Sequence, residues 1–357
     1  MMWEIFKNID GFISYSYQHW TDAITLGYLI YFSDESIVIR DTINCDILFK
    51  KTDINVRNAY YYINEENIYF KDKNELSIFE INSKSLIRIC RTEEENISLL
   101  NNYLCMGRTI SRQPKINRSE LLILPTCEVF YRWDDGSHPV YCFRNEFLLL
   151  ENPIKSILYA VNLDKKNKIW ELPLLGFSVP RFYKNISNEI FLVMQSFSTE
   201  HPTDKRYELW GINKYSGEVI YKTDVAHFDR FTYCPDSKRL YGLNGQMYLS
   251  IDPFSGAILS KKQVELGEIY QRQWISLGNQ SITGNEIFFT LSGKPIVGRF
   301  NIANEKIDEY IEINVDANKV DMRQPLNMPY YYKGKLYVRD NSGVMHILER
   351  KDHPASS

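Results

Sequence analysis

An all-β propeller, a ring of four-stranded antiparallel blades, is the fold class the sequence predicts, and three observations predict it. Tyrosine (25) and phenylalanine (19) are abundant beside glycine (17) and proline (13), and aromatic side chains favour pleated, half-buried surfaces. A unit of strand, loop, strand, tight turn and strand recurs along the whole chain. Its copies start about 44 residues apart, the period of a propeller blade. The count is eight blades, or seven if the unit over 103–132 is an insertion.

The first copy runs from Gly27-Tyr28-Leu29-Ile30-Tyr31 to Ile37-Val38-Ile39-Arg40-Asp41, and the second from Glu66-Asn67-Ile68-Tyr69-Phe70 to Leu76-Ser77-Ile78-Phe79-Glu80. A weaker third uses Tyr103-Leu104-Cys105-Met106, Leu121-Leu122-Ile123-Leu124 and Val129-Phe130-Tyr131. Copies follow from Phe147, Ile190, Leu240, Ile287 and Leu336. Their middle strands are apolar along their length, as strands covered on both faces must be. A further strand precedes most units, for example Tyr60-Tyr61-Tyr62, Val140-Tyr141-Cys142-Phe143 and Tyr330-Tyr331-Tyr332, which makes four per unit. The tyrosine runs read as packing between blades rather than as a stacking platform. The last unit lacks an outer strand, and Trp3-Glu4-Ile5-Phe6 is predicted to fill that place and close the ring. One domain over 1–350 and a polar tail over 351–357 result. Helices are nearly absent; Thr92-Glu93-Glu94-Glu95 fits a capping box ahead of a short loop helix.

The turn between the last two strands of a unit has a specific form. Ala160-x-Asn162 is followed by Trp170; Gly211-x-Asn213-x-x-Ser216-Gly217 by Tyr221; and Ser250-x-Asp252-x-x-Ser255-Gly256 by Ser260. Over about residues 145–263 this resembles the repeat of the quinoprotein-like (PQQ-like) β-propellers. The resemblance implies that the Asx residue and glycine shape the turn and that a tryptophan packs between neighbouring blades. Here that position is Trp170, then Tyr221, then Ser260, so the packing is irregular and the repeats degenerate. The adjacent-cysteine ring, calcium site and secretion signal of the quinone enzymes have no counterpart, and no cofactor is expected.

Charge excludes several partner classes. Lys+Arg 42 against Asp+Glu 45 leaves a net charge of -3, which provides no footprint for nucleic acid and no polybasic membrane patch. No apolar run approaches the roughly 18 residues that span a bilayer. Glu4 interrupts the start of the chain, so no secretory signal is expected. The six cysteines (45, 90, 105, 127, 142 and 234) are scattered, and read as reduced, buried and cytoplasmic.

No motif of a hydrolase elbow, zincin, P-loop or dinucleotide fingerprint is present. The six histidines (19, 138, 201, 227, 346 and 353) stand apart and read as surface or turn residues. Asp134-Asp135, Glu93-Glu94-Glu95 and Asp308-Glu309 read as solvated charge. No catalytic or metal residue is assigned. The informative segments are the loops that emerge on one face of a propeller, because loops carry function on a rigid scaffold. They contribute Trp133, Asp134, Asp135, His138, Phe177, Phe197, His201, Asp204, His227, Phe228, Asp229, Trp274 and Arg323, an acidic and aromatic set suited to a protein partner. The expected function is a non-catalytic, protein-binding propeller, monomeric by itself. Its most concrete form is a cytoplasmic immunity protein that neutralises a cognate bacterial toxin. The rival from another class is a lactonase-like or lyase-like enzyme holding one metal at the central channel.

Overall fold

The computed structural model describes residues 2–9, 24, 26–33, 35–53, 60–63, 67–72, 75–83, 85–91, 96–100, 103–112, 115–123, 126, 128–143, 146–174, 183–198, 205–228, 230–267 and 273–351. The predicted capping box at 92–95 lies outside them. The thirty-one elements named among the described residues are all strands.

The first strand is β1 (Met2–Ile9). The next sheet in chain order is β2 (Tyr28–Ser33), β3 (Ser36–Asp41) and β4 (Ile47–Lys51); then β5 (Tyr60–Ile63), β6 (Asn67–Asp72), β7 (Glu75–Glu80) and β8 (Ser85–Arg91). A third is β9 (Asn96–Leu100), β10 (Tyr103–Arg112), β11 (Lys115–Ile123) and β12 (Glu128–Trp133), so the 103–132 segment builds a sheet of its own. Next come β13 (His138–Phe143), β14 (Phe147–Asn152), β15 (Ile157–Asn162) and β16 (Asn167–Pro173), followed by β17 (Tyr183–Asn185), β18 (Ile190–Ser198), β19 (Lys205–Asn213) and β20 (Val219–Ala226). Then β21 (Thr232–Cys234), β22 (Arg239–Asn244), β23 (Met247–Ile251) and β24 (Ile258–Gln263) precede β25 (Ile275–Thr283), β26 (Glu286–Leu291), β27 (Ile296–Asn301) and β28 (Lys306–Glu312). The last sheet is β29 (Tyr330–Tyr332), β30 (Lys335–Arg339) and β31 (Met345–Lys351), with β1 as its fourth strand. The register of that pairing runs from Met2 opposite Lys351 to Ile9 opposite Met345, as the sequence predicts for the outer strand.

These sheets belong to two compact units: β1–β4 with β21–β31, and β5–β20 with the turn tip 254–256. In each, the middle strands are covered on both faces. All six residues of β14 are buried, and so are five of the six in β15 and in β26. The fourth strands behave differently. In β20 the side chains alternate between half-buried and exposed over Val219–Asp224, the period-2 pattern of a strand with one wet face.

One turn geometry recurs between third and fourth strands. Asp41 Oδ1 accepts the N–H groups of Ile43 (2.8 Å) and Asn44 (2.7 Å); Asn213 Oδ1 accepts those of Tyr215 (2.9 Å) and Ser216 (3.1 Å); and Asn301 Oδ1 accepts that of Ala303 (2.9 Å). Asn162 does the same for Lys165 (2.7 Å). These are Asx turns, in which a short polar side chain replaces a backbone partner. Four residues after each of these, and after Asp252 at the same place in its sheet, the chain is left-handed: Cys45 (φ 60), Lys166 (φ 54), Gly217 (φ 73), Gly256 (φ 74) and Glu305 (φ 52). A register shift sits just before the turn in each case, as between Ala160 and Val161 or Gly211 and Ile212, and such bulges add twist.

The ring expected at the end of the repeat packs against the turn of the next sheet where it is present, and there the left-handed position is glycine. The Trp170 indole N–H donates to the Lys214 carbonyl (2.7 Å), and a Cβ on Gly217 would stand 2.6 Å from the Trp170 ring. Tyr221 lies across both Gly211 and Gly256, where added Cβ atoms would come within 2.2 and 2.3 Å of it. Ser260 carries no ring, and there the left-handed residue is Glu305, whose carboxylate bonds Lys262 and Ser260. Where the outer strand offers Phe130, Lys166 places its Nζ 5.3 Å from the ring centroid. An incoming ring demands a bare backbone; a polar or edge contact does not.

Candidate functional site

Two sequence-predicted residues, Trp274 and Arg323, lie on connections that the first unit stitches together. The Trp274 carbonyl accepts both the N–H (2.9 Å) and the hydroxyl (3.1 Å) of Ser292, in the β26–β27 turn. The next residue, Gly293, donates its N–H to the Arg323 carbonyl (3.1 Å). Asn341, in the β30–β31 turn, donates its side-chain amide to the carbonyls of Asp321 and Gln324 (both 2.9 Å) and accepts the Asp321 N–H (3.0 Å). On the other side Gly245 and Ile275 exchange hydrogen bonds in both directions. Backbone and side-chain bonds thus bring five connections, distant in sequence, to one end of the unit.

The side chains they present are of the kinds that dominate protein interfaces. Trp274 is 62% exposed, and the Cε3–Cζ3 edge of its six-membered ring approaches Gly245, where a Cβ would meet it at 3.0 and 3.2 Å. Gly245 itself has φ 62. Met322, which sequence reasoning missed, is a further exposed apolar residue on the same connections. Arg323 has a 90% exposed side chain but is held in place: Nε and Nη2 fork onto Asp321 at 2.6–3.1 Å. Those bonds, and the Arg323 N–H, hold the Asp321 carboxyl down to about 2. The only signal for this arrangement was the pair of turn-rich segments at 267–274 and 316–324, since nothing local indicates which turns will meet.

In the second unit the predicted residues serve the scaffold. Trp133 is only 8% exposed; its indole N–H donates to the Ser137 carbonyl (2.9 Å) and its ring stacks on Tyr131. Phe228 is buried as well. Neither ring forms an exposed rim: Trp133 packs into a core cluster with Leu121 and Leu150, and Phe228 is 4% exposed. Asp135 is tied in by the Ser137 N–H (3.0 Å) and the Tyr159 hydroxyl (2.9 Å). Burial pushes its carboxyl up, but the bonds from Ser137, Tyr159 and Asn152 outweigh it and hold the group below the usual range. Asn152 completes the network with bonds to the Asp135 carbonyl (2.8 Å) and Ser137 Oγ (3.1 Å). Asp135 is nonetheless an exposed residue, as are Asp134, His138 and His227. Phe197 is not in a loop: it belongs to β18, opposite Arg206 of β19, because those strands extend further than their sequence suggested. Phe177, His201, Asp204 and Asp229 lie outside the described residues.

Of the histidines, His346 departs from the expected surface placement. It sits in β31 with its ring buried, Nε2 3.0 Å from Asp340 Oδ2 and Nδ1 3.2 Å from Asn8 Oδ1 of β1. Cys45, Cys105, Cys142 and Cys234 are buried free thiols, as expected. Among the described residues, no group of three or more His, Cys, Asp or Glu side chains is placed to hold a metal ion. Among the described residues, no helix is long and apolar enough to cross a membrane.

No family model matches the sequence, and no curated protein does. Among solved structures the chain is similar to the C-terminal WD40 domain of Sif2, with a TM-score of 0.62, 9% identity and coverage of 98% of this chain and 99% of that one. It is similar to Saccharomyces cerevisiae Sqt1 (TM-score 0.59, 10% identity, 96% and 100% covered). BamB from Moraxella catarrhalis is a third (TM-score 0.57, 9% identity, 98% and 100% covered). Likeness at such identities is likeness of fold, and the fold it shows is the β-propeller.

Proposed function

We propose that this β-propeller is a non-catalytic interaction scaffold that binds a protein partner through the connections carrying Trp274, Met322 and Arg323. The observation that carries this reading is a 62% exposed indole with its edge against Gly245, on a connection stitched to that of an arginine fixed by Asp321. Trp and Arg are the residues on which binding energy concentrates, and a side chain ordered before binding loses less entropy on docking. The reading includes one domain over 1–350 in which the eight sheets are eight blades, with β1 closing the ring and degenerate quinoprotein-like repeats shaping the turns. The recurring Asx turn with its docked ring supports that repeat.

In its most specific form the chain is a cytoplasmic immunity protein, monomeric alone, that covers the active site of a cognate bacterial toxin. Coexpression with the product of the adjacent gene tests both levels. The expected result is copurification, with Trp274→Ala weakening binding by about 30-fold or more while the melting temperature stays that of the wild type. Binding unchanged in Trp274→Ala overturns the assignment of this face. Loss of viability that the wild-type chain rescues and Trp274→Ala does not supports the immunity form; a harmless partner overturns that form and leaves the scaffold.

A further inference from the structure

We infer that the first unit binds a buried water between Ser281 and Thr290, and that this water seats the bulge of β25 directly after Trp274 and Ile275. The site originates in the pairing of β25 with β26. Their register passes from Ile275 opposite Leu291 to Gln280 opposite Phe289, so four residues of β25, 276–279, stand against Thr290 alone. A bulge disrupts the ladder locally and leaves its extra residues unpaired. Thr290 keeps its partner on the other side, Val297 of β27.

Two hydroxyls stand orphaned beside that bulge. Thr290 is 0% exposed and Ser281 6%, and neither the Thr290 Oγ1 nor the Ser281 Oγ has a hydrogen-bond partner among the described residues. Both lie on one face of the sheet, since Ser281 stands opposite Phe288 and Thr290 is two residues beyond Phe288. They make a diagonal cross-strand pair, with Cβ atoms about 7 Å apart. A direct bond does not reach across that distance, but one water does, through two hydrogen bonds of about 2.8 Å each. The same face is otherwise rich in hydrocarbon: Phe288 and Val297 join Leu336, Val338 and Leu348 in one core cluster, and Phe288 stacks on Tyr331 with ring centroids 5.2 Å apart. Hydrocarbon cannot satisfy a hydroxyl, so one buried there is costly unless a small polar molecule bonds it. A buried water takes two to four polar partners. Two are these hydroxyls, and the backbone of 276–279, released from the ladder, supplies the rest. Held between the hydroxyls and the bulged backbone, the water fixes the segment on which Trp274 is mounted, whatever docks on that face.

The test uses the full chain with Thr290→Val, Ser281→Ala and the double variant. With a shared water, Thr290→Val should lower the melting temperature by about 2 °C and Ser281→Ala by a similar amount. The double variant should lose clearly less than the sum, because either substitution already costs the protein the same water. Unbonded hydroxyls give the opposite sign: Thr290→Val then raises the melting temperature, since a methyl group suits an apolar site better than a hydroxyl without a partner. That result overturns the inference, and strictly additive losses overturn the sharing of one water. A crystal structure of the wild type gives a direct reading. It should show a water within about 3.2 Å of both hydroxyl oxygens; no water there, or a water on one hydroxyl only, overturns the site. Amide hydrogen exchange over 276–279 tests the seating role, and it should speed up about tenfold in Thr290→Val. Exchange unchanged from the wild type shows that the bulge holds without the water and overturns that role.

Discussion

Gly217→Ala should cost about 2–4 kcal/mol, the larger part of it from one contact. The residue has φ 73, where a Cβ strains the backbone by about 1 kcal/mol. The Cβ would also stand 2.6–2.8 Å from three atoms of the Trp170 ring, and that ring is anchored by its own hydrogen bond to Lys214. It cannot slide away without breaking the bond, so overpacking adds about 1–3 kcal/mol. Gly284→Ala separates the two costs: its φ is 55 and nothing lies within 4 Å of the new Cβ, so only the backbone cost of about 1 kcal/mol is expected. Urea unfolding of both variants measures the difference. In a Trp170→Ala background, Gly217→Ala should fall to the Gly284→Ala value, because the atoms it strikes are gone. Equal costs for Gly217→Ala and Gly284→Ala would sink the argument.

That contact also marks how far the fold was legible in the sequence. The interval of about 44 residues, the apolar middle strands and the Asx turns with Gly217 and Gly256 were readable because they repeat, and a repeated local rule survives without knowledge of tertiary contacts. The irregular sequence Trp170, Tyr221, Ser260 was visible too, but its consequence was not. That Glu305 is tolerated where glycine stands elsewhere depends on Ser260 and Lys262, some forty residues away in sequence.

The candidate site was half legible, for a related reason. Trp274 and Arg323 stood out as exposed-type anchors in turn-rich segments. Trp133 and Phe228 looked equivalent by the same criterion, yet both point inward. Residue type and loop position do not distinguish a buried ring from an exposed one whose edge rests against a glycine. That distinction needs Gly245, which sits 29 residues before Trp274 and pairs only through the exchange with Ile275. Of the carboxylates expected to make the face acidic, Asp135 is bonded by Tyr159 and Ser137, while Asp134 stands exposed.

Asp340→Ala should destabilise the protein by about 3–5 kcal/mol at neutral pH, and the loss should shrink in acid. The carboxylate is 2% exposed. Its Oδ1 accepts the N–H of Ser342 (3.0 Å), the Ser342 hydroxyl (2.8 Å) and the N–H of Val344 (2.9 Å), and its Oδ2 meets His346 Nε2. Alanine leaves these groups buried without an acceptor, each at a cost of about 1–3 kcal/mol before relaxation. It also frees His346, the residue opposite Asn8 in the β1–β31 pairing, so the N-terminal strand loses a side-chain tie. Burial raises the Asp340 pKa, but the bonds from His346, Val344 and Ser342 outweigh it and hold the group below its ordinary value of 3.8. Because the folded value is the lower one, the charged carboxylate stabilises the fold fully above about pH 3.8 and ceases to as pH falls through the folded value. Wild type and Asp340→Ala should therefore converge in urea midpoint below that pH and separate above it. Asp340→Asn keeps an acceptor for the three Oδ1 donors and should recover part of the loss while removing the acid dependence. A midpoint difference for Asp340→Ala that is the same at pH 7 and pH 2.5 would show that the charge of this carboxylate contributes nothing, and that β1 is held by backbone pairing alone.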